Sequence, residues 1–294
     1  MTTSATSPRS GYRGRFAPSP TGRLHAGSLV AALASWLDAR AHGGTWLVRI
    51  EDIDPPRDIP GAAEDILETL AKFGLASDEP VLWQHDRLEA YQEALDALLT
   101  KKAAYGCACS RHEIALWHQV HGGNPGIYPG LCRNGTGGRP ARAIRFRVDD
   151  EPLGFTDRRR GPFSQRLERE VGDFVIRRAD GLFAYQLAVV IDDGFQGVTD
   201  IVRGEDLLDN TPRQIALQQA LGLPRPRYLH LPLVLNDRGE KLSKQAGATP
   251  VDADQPLEAL EAAWRSLGFP RLGADSLSAF YASALPLWAA RWGM

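Results

Sequence analysis

The chain has 294 residues, 43% of them hydrophobic and 24% charged, with a net charge of −2 at neutral pH. That length holds one large or two modest domains, and the composition is ordinary for a globular protein. The small net charge excludes a globally basic nucleic-acid binder and leaves only a local patch for such a partner. No apolar run approaches the roughly 20 residues of a membrane-spanning helix.

Residues 1–12 are polar, rich in Ser and Thr, and lack the apolar stretch of a secretory signal. They read as a flexible tail on a cytoplasmic protein. Next comes Arg15–Ser28, RFAPSPTGRLHAGS. Pro18 and Pro20 stiffen this loop and Gly22 permits a tight turn. Residues 24–42 carry Leu29, Leu33, Trp36 and Leu37 at helical spacing and stop at Gly43 and Gly44. A helix N-terminus attracts anions, so His25 and the amides near Gly27 and Ser28 could face a phosphate. A rigid turn with a surface histidine is the plainer alternative. TWLVRIEDID reads as a buried strand ending in acids, and residues 60–74 and 87–99 again have helical periodicity. Strand, glycine-containing loop, helix and strand open an α/β nucleotide-binding fold with a parallel sheet.

The middle differs in character. Residues 103–180 hold all three cysteines, many glycines and short strand-like pieces such as AIRFRV. DFVIRRADGLFAY suggests a hairpin turning at Ala179–Gly181. This stretch is expected to be an inserted α+β subdomain between two halves of the main fold, 13–102 and 181–235. The second half contains LAVVIDD, VTDIVRGEDLL, a helix capped by Asn210 or Thr211 with Pro212 in its first turn, and the strand HLPLVLN. The region 236–294 begins with a polar loop, RGEKLSKQ, and ends in helices rich in Ala, Leu and Trp. Lys241 and Lys244, flanking Ser243, suit a site where charge develops on a phosphate; an ordinary solvated charge run is the plainer alternative.

An odd number of cysteines argues against a disulfide framework. Cys107-x-Cys109 and, further on, Cys132 offer thiolates, and zinc favours sulfur-rich tetrahedral ligation. From the residues alone, Tyr128, His112, His118 and His121 compete for a fourth position, and three buried free thiols are the alternative to any metal.

Taken together, PSPTGRLHAGS resembles the HIGH signature of class I aminoacyl-tRNA synthetases, and KLSKQ resembles their KMSKS signature. The lead-in RFAPSPTG, RIEDID at 49–54 and IVRGEDLLDNTPRQIALQQALG at 201–222 are similar to the glutamyl branch. The resemblance spans residues 13–250. It implies a Rossmann-type catalytic domain and a ligase reaction in which an amino-acid carboxylate attacks the α-phosphate of ATP, with Mg²⁺, and pyrophosphate leaves. His25, Lys241 and Lys244 would then be catalytic, and Gly27, Ser28 and Ser243 would join them in binding ATP. Glutamate would be held by Arg15 and Arg203 through bidentate carboxylate contacts, by Glu51 at the ammonium, and by Ala17, Ser19 and Tyr185 along the wall. The resemblance also selects Tyr128, with Cys107, Cys109 and Cys132, as the ligand set of a structural zinc. Ser28 departs from the pattern where a second histidine is usual, as do Leu242 and Gln245 in the lysine motif.

The chain ends about 50 residues after Lys244, which is short for an anticodon-binding domain. The expectation is a truncated, monomeric member of the glutamyl branch. The resemblance to such a truncated paralogue implies activation of glutamate without tRNA and its esterification onto the queuosine base at the wobble position of tRNA(Asp). A glutamyl-tRNA synthetase core charging a tRNA 3′ end and a non-catalytic glutamate-, ATP- or tRNA-binding paralogue are the rival readings. Arg158, Arg159 and Arg160 are candidates for RNA phosphate contacts or for a plain exposed turn.

Overall fold

The computed structural model describes residues 11–233 and 250–293. Alternation of short buried strands with helices organises most of this span. The first half runs β1 (Arg13–Phe16), α1 (Ala26–Ala41), β2 (Thr45–Ile50), α2 (Ala62–Lys72), β3 (Leu82–Trp83) and α3 (Leu88–Thr100). The middle contains β4 (Ala104–Cys107), α4 (Arg111–His121), β5 (Ala143–Phe146), β6 (Pro152–Asp157), β7 (Gly161–Arg166), the single turn α5 (Leu167–Glu170) and β8 (Phe174–Arg177). Then follow α6 (Tyr185–Phe195), β9 (Asp200–Gly204), α7 (Thr211–Leu221), β10 (Arg227–Leu231), α8 (Pro256–Ser266) and α9 (Leu277–Trp292).

β1, β2 and β3 are parallel, with Arg15 opposite Leu47 and Ile50 opposite Trp83. β9 and β10 are parallel to each other, with Arg203 opposite His230. The two groups meet where Arg13 and Thr199 exchange bonds: the Thr199 N–H donates to the Arg13 carbonyl at 2.9 Å, and the Arg13 N–H donates to Thr199 Oγ1 at 2.8 Å. β1 thus lies between β2 and β9. That is the position in a parallel α/β sheet where the connections diverge and open a crevice at the carboxyl ends of the strands.

The middle of the chain divides. β4, β5 and β8 form their own antiparallel sheet. The hairpin β6–β7, placed with this insert by the sequence reading, instead joins the main sheet through β10, where Tyr228 pairs with Asp157. The turn expected at Ala179–Gly181 in DFVIRRADGLFAY is present, with the Arg178 N–H donating to the Leu182 carbonyl at 2.8 Å and the Ala184 N–H to the Ile176 carbonyl at 3.0 Å. The second arm is short, with one bridge between Arg177 and Phe183, because α6 starts at Tyr185. Burial explains the change: Leu187, Ala188, Val189 and Val190 are all inside, so consecutive residues face protein on every side.

Tyr12, grouped by the sequence reading with the leading tail, belongs to the core. The Ala-, Leu- and Trp-rich terminal helices cover α1: Trp264, Phe280, Ala284 and Trp288 share its core with Leu33 and Leu37. Asp38, fully buried on α1, ties these parts together. It accepts from Tyr12 Oη at 2.5 Å, from Arg158 Nη1 and Nη2 at 2.5 and 2.9 Å, and from Trp288 Nε1 at 2.9 Å. Arg158 is therefore an interior ion-pair partner rather than an RNA contact. No helix among the described residues is long and apolar enough to cross a membrane.

Replacing Asp38 by Ala strands Arg158 without its carboxylate, so the loss expected in urea unfolding is about 3–5 kcal/mol, the usual cost of breaking a buried pair from one side. A loss below about 1 kcal/mol would contradict the role given to Asp38.

Candidate functional site

The cavity at the crevice has a volume of about 720 Å³. Its floor is made by strand ends. Arg15, Phe16 and Ala17 leave β1, Glu51 follows β2, Arg203 and Gly204 end β9, and Leu231 ends β10. The stiff loop after β1 is tied to the segment after β2: the Pro18 carbonyl accepts from the Glu51 N–H, and the Pro20 carbonyl from the Ile59 N–H, each at 2.9 Å. Gly22 takes φ of +129°, which a side-chain-bearing residue would resist. His25 then caps α1 from an extended conformation, with Nδ1 accepting the Ser28 N–H at 3.3 Å. The Ser28 hydroxyl lies 3.1 Å from the same ring, so the residue that replaces a second histidine supports the first.

All the described residues expected to bind glutamate or ATP line this one cavity: Arg15, Ala17, Ser19, His25, Gly27, Ser28, Glu51, Tyr185 and Arg203. Lys241, Ser243 and Lys244 lie outside the described residues. The described chain departs from the cavity wall at Leu233 and resumes at Pro250, which bridges to His25.

The charges are held from beneath. Arg15 donates from Nε and Nη2 to the two oxygens of Asp193 on α6, at 3.1 and 3.3 Å. Asp193 also pairs with Arg49 Nη1 at 2.9 Å, and Arg49 Nη2 donates to Glu51 at 3.3 Å. All four side chains are buried. Burial pushes the Glu51 carboxyl above its ordinary value, outweighing the opposite pull of Arg49 and Arg15. Burial acts in the same direction on Asp193, but two guanidinium groups hold its carboxyl below the usual value.

Arg203 is supported differently. Nε donates to His230 Nε2 at 3.2 Å, Nη1 to Gln214 Oε1 at 2.8 Å and Nη2 to Thr211 Oγ1 at 2.8 Å. These bonds qualify the expected bidentate contacts. Nη2 also donates to the Leu207 carbonyl at 3.4 Å, so four of the five N–H groups are taken and a substrate carboxylate could take two nitrogens of Arg203 only by displacing one of these acceptors. The Tyr185 phenol, at the start of α6, is kept neutral by burial and remains a donor. Across the cavity, Arg178 bonds Asp54 at 3.1 Å, and Arg57 bonds the same carboxylate at 2.6 Å.

Several functional neighbours escaped the sequence reading: Arg49, Asp193, Gln214 and His230. Arg49, Asp193 and His230 share one signal, a polar residue within or bordering an apolar run, as in TWLVRI, LAVVIDD and YLHLPL; Gln214, in NTPRQI, carries no such signal. Arg159 donates to the His230 carbonyl at 2.7 Å and pairs with Glu205. Of the three arginines proposed for RNA, only Arg160 keeps half its side chain exposed.

A second cluster lies on the small sheet. The sulfurs of Cys107, Cys109 and Cys132 lie within 4.8 Å of one another. Tyr128 Oη is 3.4 Å from Cys107 Sγ and 3.6 Å from Cys109 Sγ, and the Cys109 and Cys132 sulfurs are 3.5 Å apart. Metal–sulfur bonds of about 2.3 Å in a tetrahedron put sulfurs roughly 3.8 Å apart, so these groups fit one ion. Arg145 lies 3.3 Å from Cys107 Sγ and over the Tyr128 ring, and Arg139 is 3.8 Å from Cys109 Sγ. Both would offset thiolate charge. Two of the three histidine rivals are engaged elsewhere: His118 contacts the carbonyls of Gly122 and Ile127, and His121 stacks on Trp117.

The family model for tRNA synthetases class I (E and Q), catalytic domain, matches residues 12–270. A Burkholderia cenocepacia protein named Glutamyl-Q tRNA(Asp) synthetase is 57% identical over 293 residues, covering 96% of this chain and 98% of the relative. A Burkholderia pseudomallei protein of the same name is 58% identical over 291 residues, covering 96% and 97%. The crystal structure of a glutamate tRNA ligase from Elizabethkingia meningosepticum, in complex with its amino acid, aligns with a TM-score of 0.71 at 30% identity. The alignment covers 81% of this chain and 52% of that one, so the chain spans about half the length of that ligase.

The two buried carboxylates of the cluster should behave oppositely. Asp193, held low, contributes stability above the ordinary carboxyl range and loses it as pH falls through its folded value. Asp193→Asn should therefore cost about 3–5 kcal/mol at pH 7. Glu51, held high, costs stability while ionised, and that cost is relieved as pH falls through its folded value. Glu51→Gln should melt no lower than the parent at pH 7, and any gain should shrink toward acid pH. Thermal melts across pH check both; equal losses at pH 7 would contradict the assignment.

Proposed function

The chain belongs to the class I (E and Q) tRNA synthetases, and we propose that it activates L-glutamate with ATP and transfers it to the queuosine base of tRNA(Asp). One observation carries the choice of amino acid. The cavity joins two guanidinium groups, Arg15 and Arg203, with one carboxylate, Glu51, at the strand ends. Glutamate presents the complementary set, two carboxylates and one ammonium. Glutamine, with one carboxylate fewer, leaves a buried guanidinium poorly matched.

The first step is in-line displacement. The glutamate α-carboxylate forms a bond to the α-phosphorus of ATP, the bond to the bridging oxygen breaks, and pyrophosphate departs. ATP brings Mg²⁺ as its counter-ion. His25 and the first amides of α1, near Gly27 and Ser28, would face the charge that builds on the α-phosphate. Lys241 and Lys244 would stabilise the leaving pyrophosphate, with Ser243 between them. In the second step a hydroxyl of the queuosine cyclopentenediol attacks the acyl carbon and AMP leaves. The cis-diol takes the place that a ribose diol holds in charging a tRNA 3′ end, so the same cavity serves either acceptor. The names and near-full coverage of the two Burkholderia relatives support the queuosine acceptor.

A structural zinc would be held by Cys107, Cys109, Tyr128 and Cys132. With four protein ligands it would leave no open position, and it would pin the loop between α4 and β5 rather than take part in the reaction. The cysteines form no disulfide, which suits a reducing cytoplasm where tRNA is found.

With labelled glutamate, ATP and queuosine-containing tRNA(Asp), nuclease mapping should place the label on the wobble nucleotide. Guanosine-containing tRNA(Asp) should remain unlabelled. Label on the 3′ adenosine would favour a glutamyl-tRNA synthetase core instead. Independently, Cys107→Ser should lower the zinc measured by atomic absorption; unchanged metal would contradict the ligand set.

A further inference from the structure

Arg15 is fixed by a carboxylate, but Arg203 is fixed by neutral acceptors, and the most demanding of them is a histidine. A guanidinium is a donor only. The 3.2 Å bond from Arg203 Nε to His230 Nε2 therefore requires a lone pair on that ring nitrogen. The proton of the neutral ring must then sit on Nδ1. There it meets Asp157 Oδ2 at 2.7 Å, the oxygen that also accepts the His230 N–H at 2.9 Å. The other oxygen of Asp157 accepts the N–H groups of Arg159 and Arg160 at 2.9 and 2.8 Å. Asp157 and His230 are both buried. Burial, aided by the charge of Arg203, holds the His230 pKa below its ordinary value despite Asp157, which agrees with a neutral ring.

We infer that Asp157 and His230 are positioning residues for amino-acid selection: Asp157 locks His230 in its Nδ1–H tautomer, and the Nε2 lone pair aims Arg203 at a carboxylate of glutamate. The inference rests on the reading of this cavity as a glutamate site. The opposite tautomer would turn an N–H toward the Arg203 cation; Thr211 Oγ1, also 3.2 Å from Nε2, could accept that proton, but Arg203 Nε would lose its acceptor. Asp157 lies 46 residues before Arg203 in sequence, at the turn of the β6–β7 hairpin. The pairing of that hairpin with β10 thus does more than extend the sheet. It delivers the carboxylate that sets the proton on His230.

Two substitutions separate positioning from packing. The amide nitrogen of Asn reaches the place of Nδ1, so His230→Asn keeps a donor to Asp157 but removes the acceptor for Arg203. The amide oxygen of Gln reaches the place of Nε2, so His230→Gln keeps that acceptor. In glutamate-dependent ATP–pyrophosphate exchange, His230→Asn should raise KM for glutamate about tenfold or more, the scale of a lost charged hydrogen bond. KM for ATP and kcat should change much less, and His230→Gln should recover most of the loss. Unchanged KM for glutamate in His230→Asn overturns the inference, as do equal losses for both substrates in both variants. The tautomer is also readable in the unmodified protein by ¹⁵N NMR of the histidine ring. An Nδ1–H signal is expected, and an Nε2–H ring overturns the inference whether or not the variants fold. A parent protein with no glutamate-dependent exchange would instead refute the glutamate reading itself, and the ring measurement would still stand.

Discussion

Arg49 has no exposed surface, and an uncompensated cation there would cost several kcal/mol. The fold meets this constraint with a four-charge cluster in which Arg49 and Arg15 share Asp193, and Arg49 also reaches Glu51. The formal charges cancel. Two strands and one helix supply them, so β1, β2 and α6 must keep their mutual register for any of the charges to be paid off by another. The arrangement leaves Arg15 and Glu51 at the cavity wall with their directions already chosen. Preorganised charge of this kind costs no rearrangement when a substrate of the complementary pattern arrives.

The same logic extends outward. β1 is held beside β9 through Arg13 and Thr199, which brings Arg203 to the opposite side of the crevice. The floor of the cavity is thus a junction of two parallel strand groups, while its roof is a helix N-terminus carrying His25. Behind that helix, Asp38 joins α1 to Tyr12, to the β6–β7 turn and to the terminal helix α9. The aromatic terminal helices therefore serve the site from a distance, by fixing the helix that presents His25.

Much of this was legible in the sequence. Apolar residues at helical spacing located α1, α2 and α3 to within a few residues, and the glycines after residue 42 marked the first stop. The family resemblance located the cavity residues, because Arg15, His25, Glu51 and Arg203 lie in stretches similar to motifs of the class I synthetases. What was not legible depends on long-range pairing. The apolar run LAVVI carries no period that separates a buried helix from a buried strand, so the placement of Asp193 after it was hidden. The β6–β7 hairpin looks like part of the insert until Tyr228 pairs with Asp157. Arg158 and Arg159 look like surface charge until Asp38, Glu205 and the His230 carbonyl are found beside them. In each case the deciding partner lies 40 or more residues away in the chain.

The central claim is that paired charges preset this cavity for an amino acid with two carboxylates. The most direct test is ATP–pyrophosphate exchange with purified protein, ATP and Mg²⁺, without tRNA, comparing glutamate with glutamine. The account predicts exchange with glutamate and a kcat/KM for glutamine lower by a factor of about 100 or more, since a buried guanidinium would lose its partner. Equal exchange with the two amino acids would contradict it.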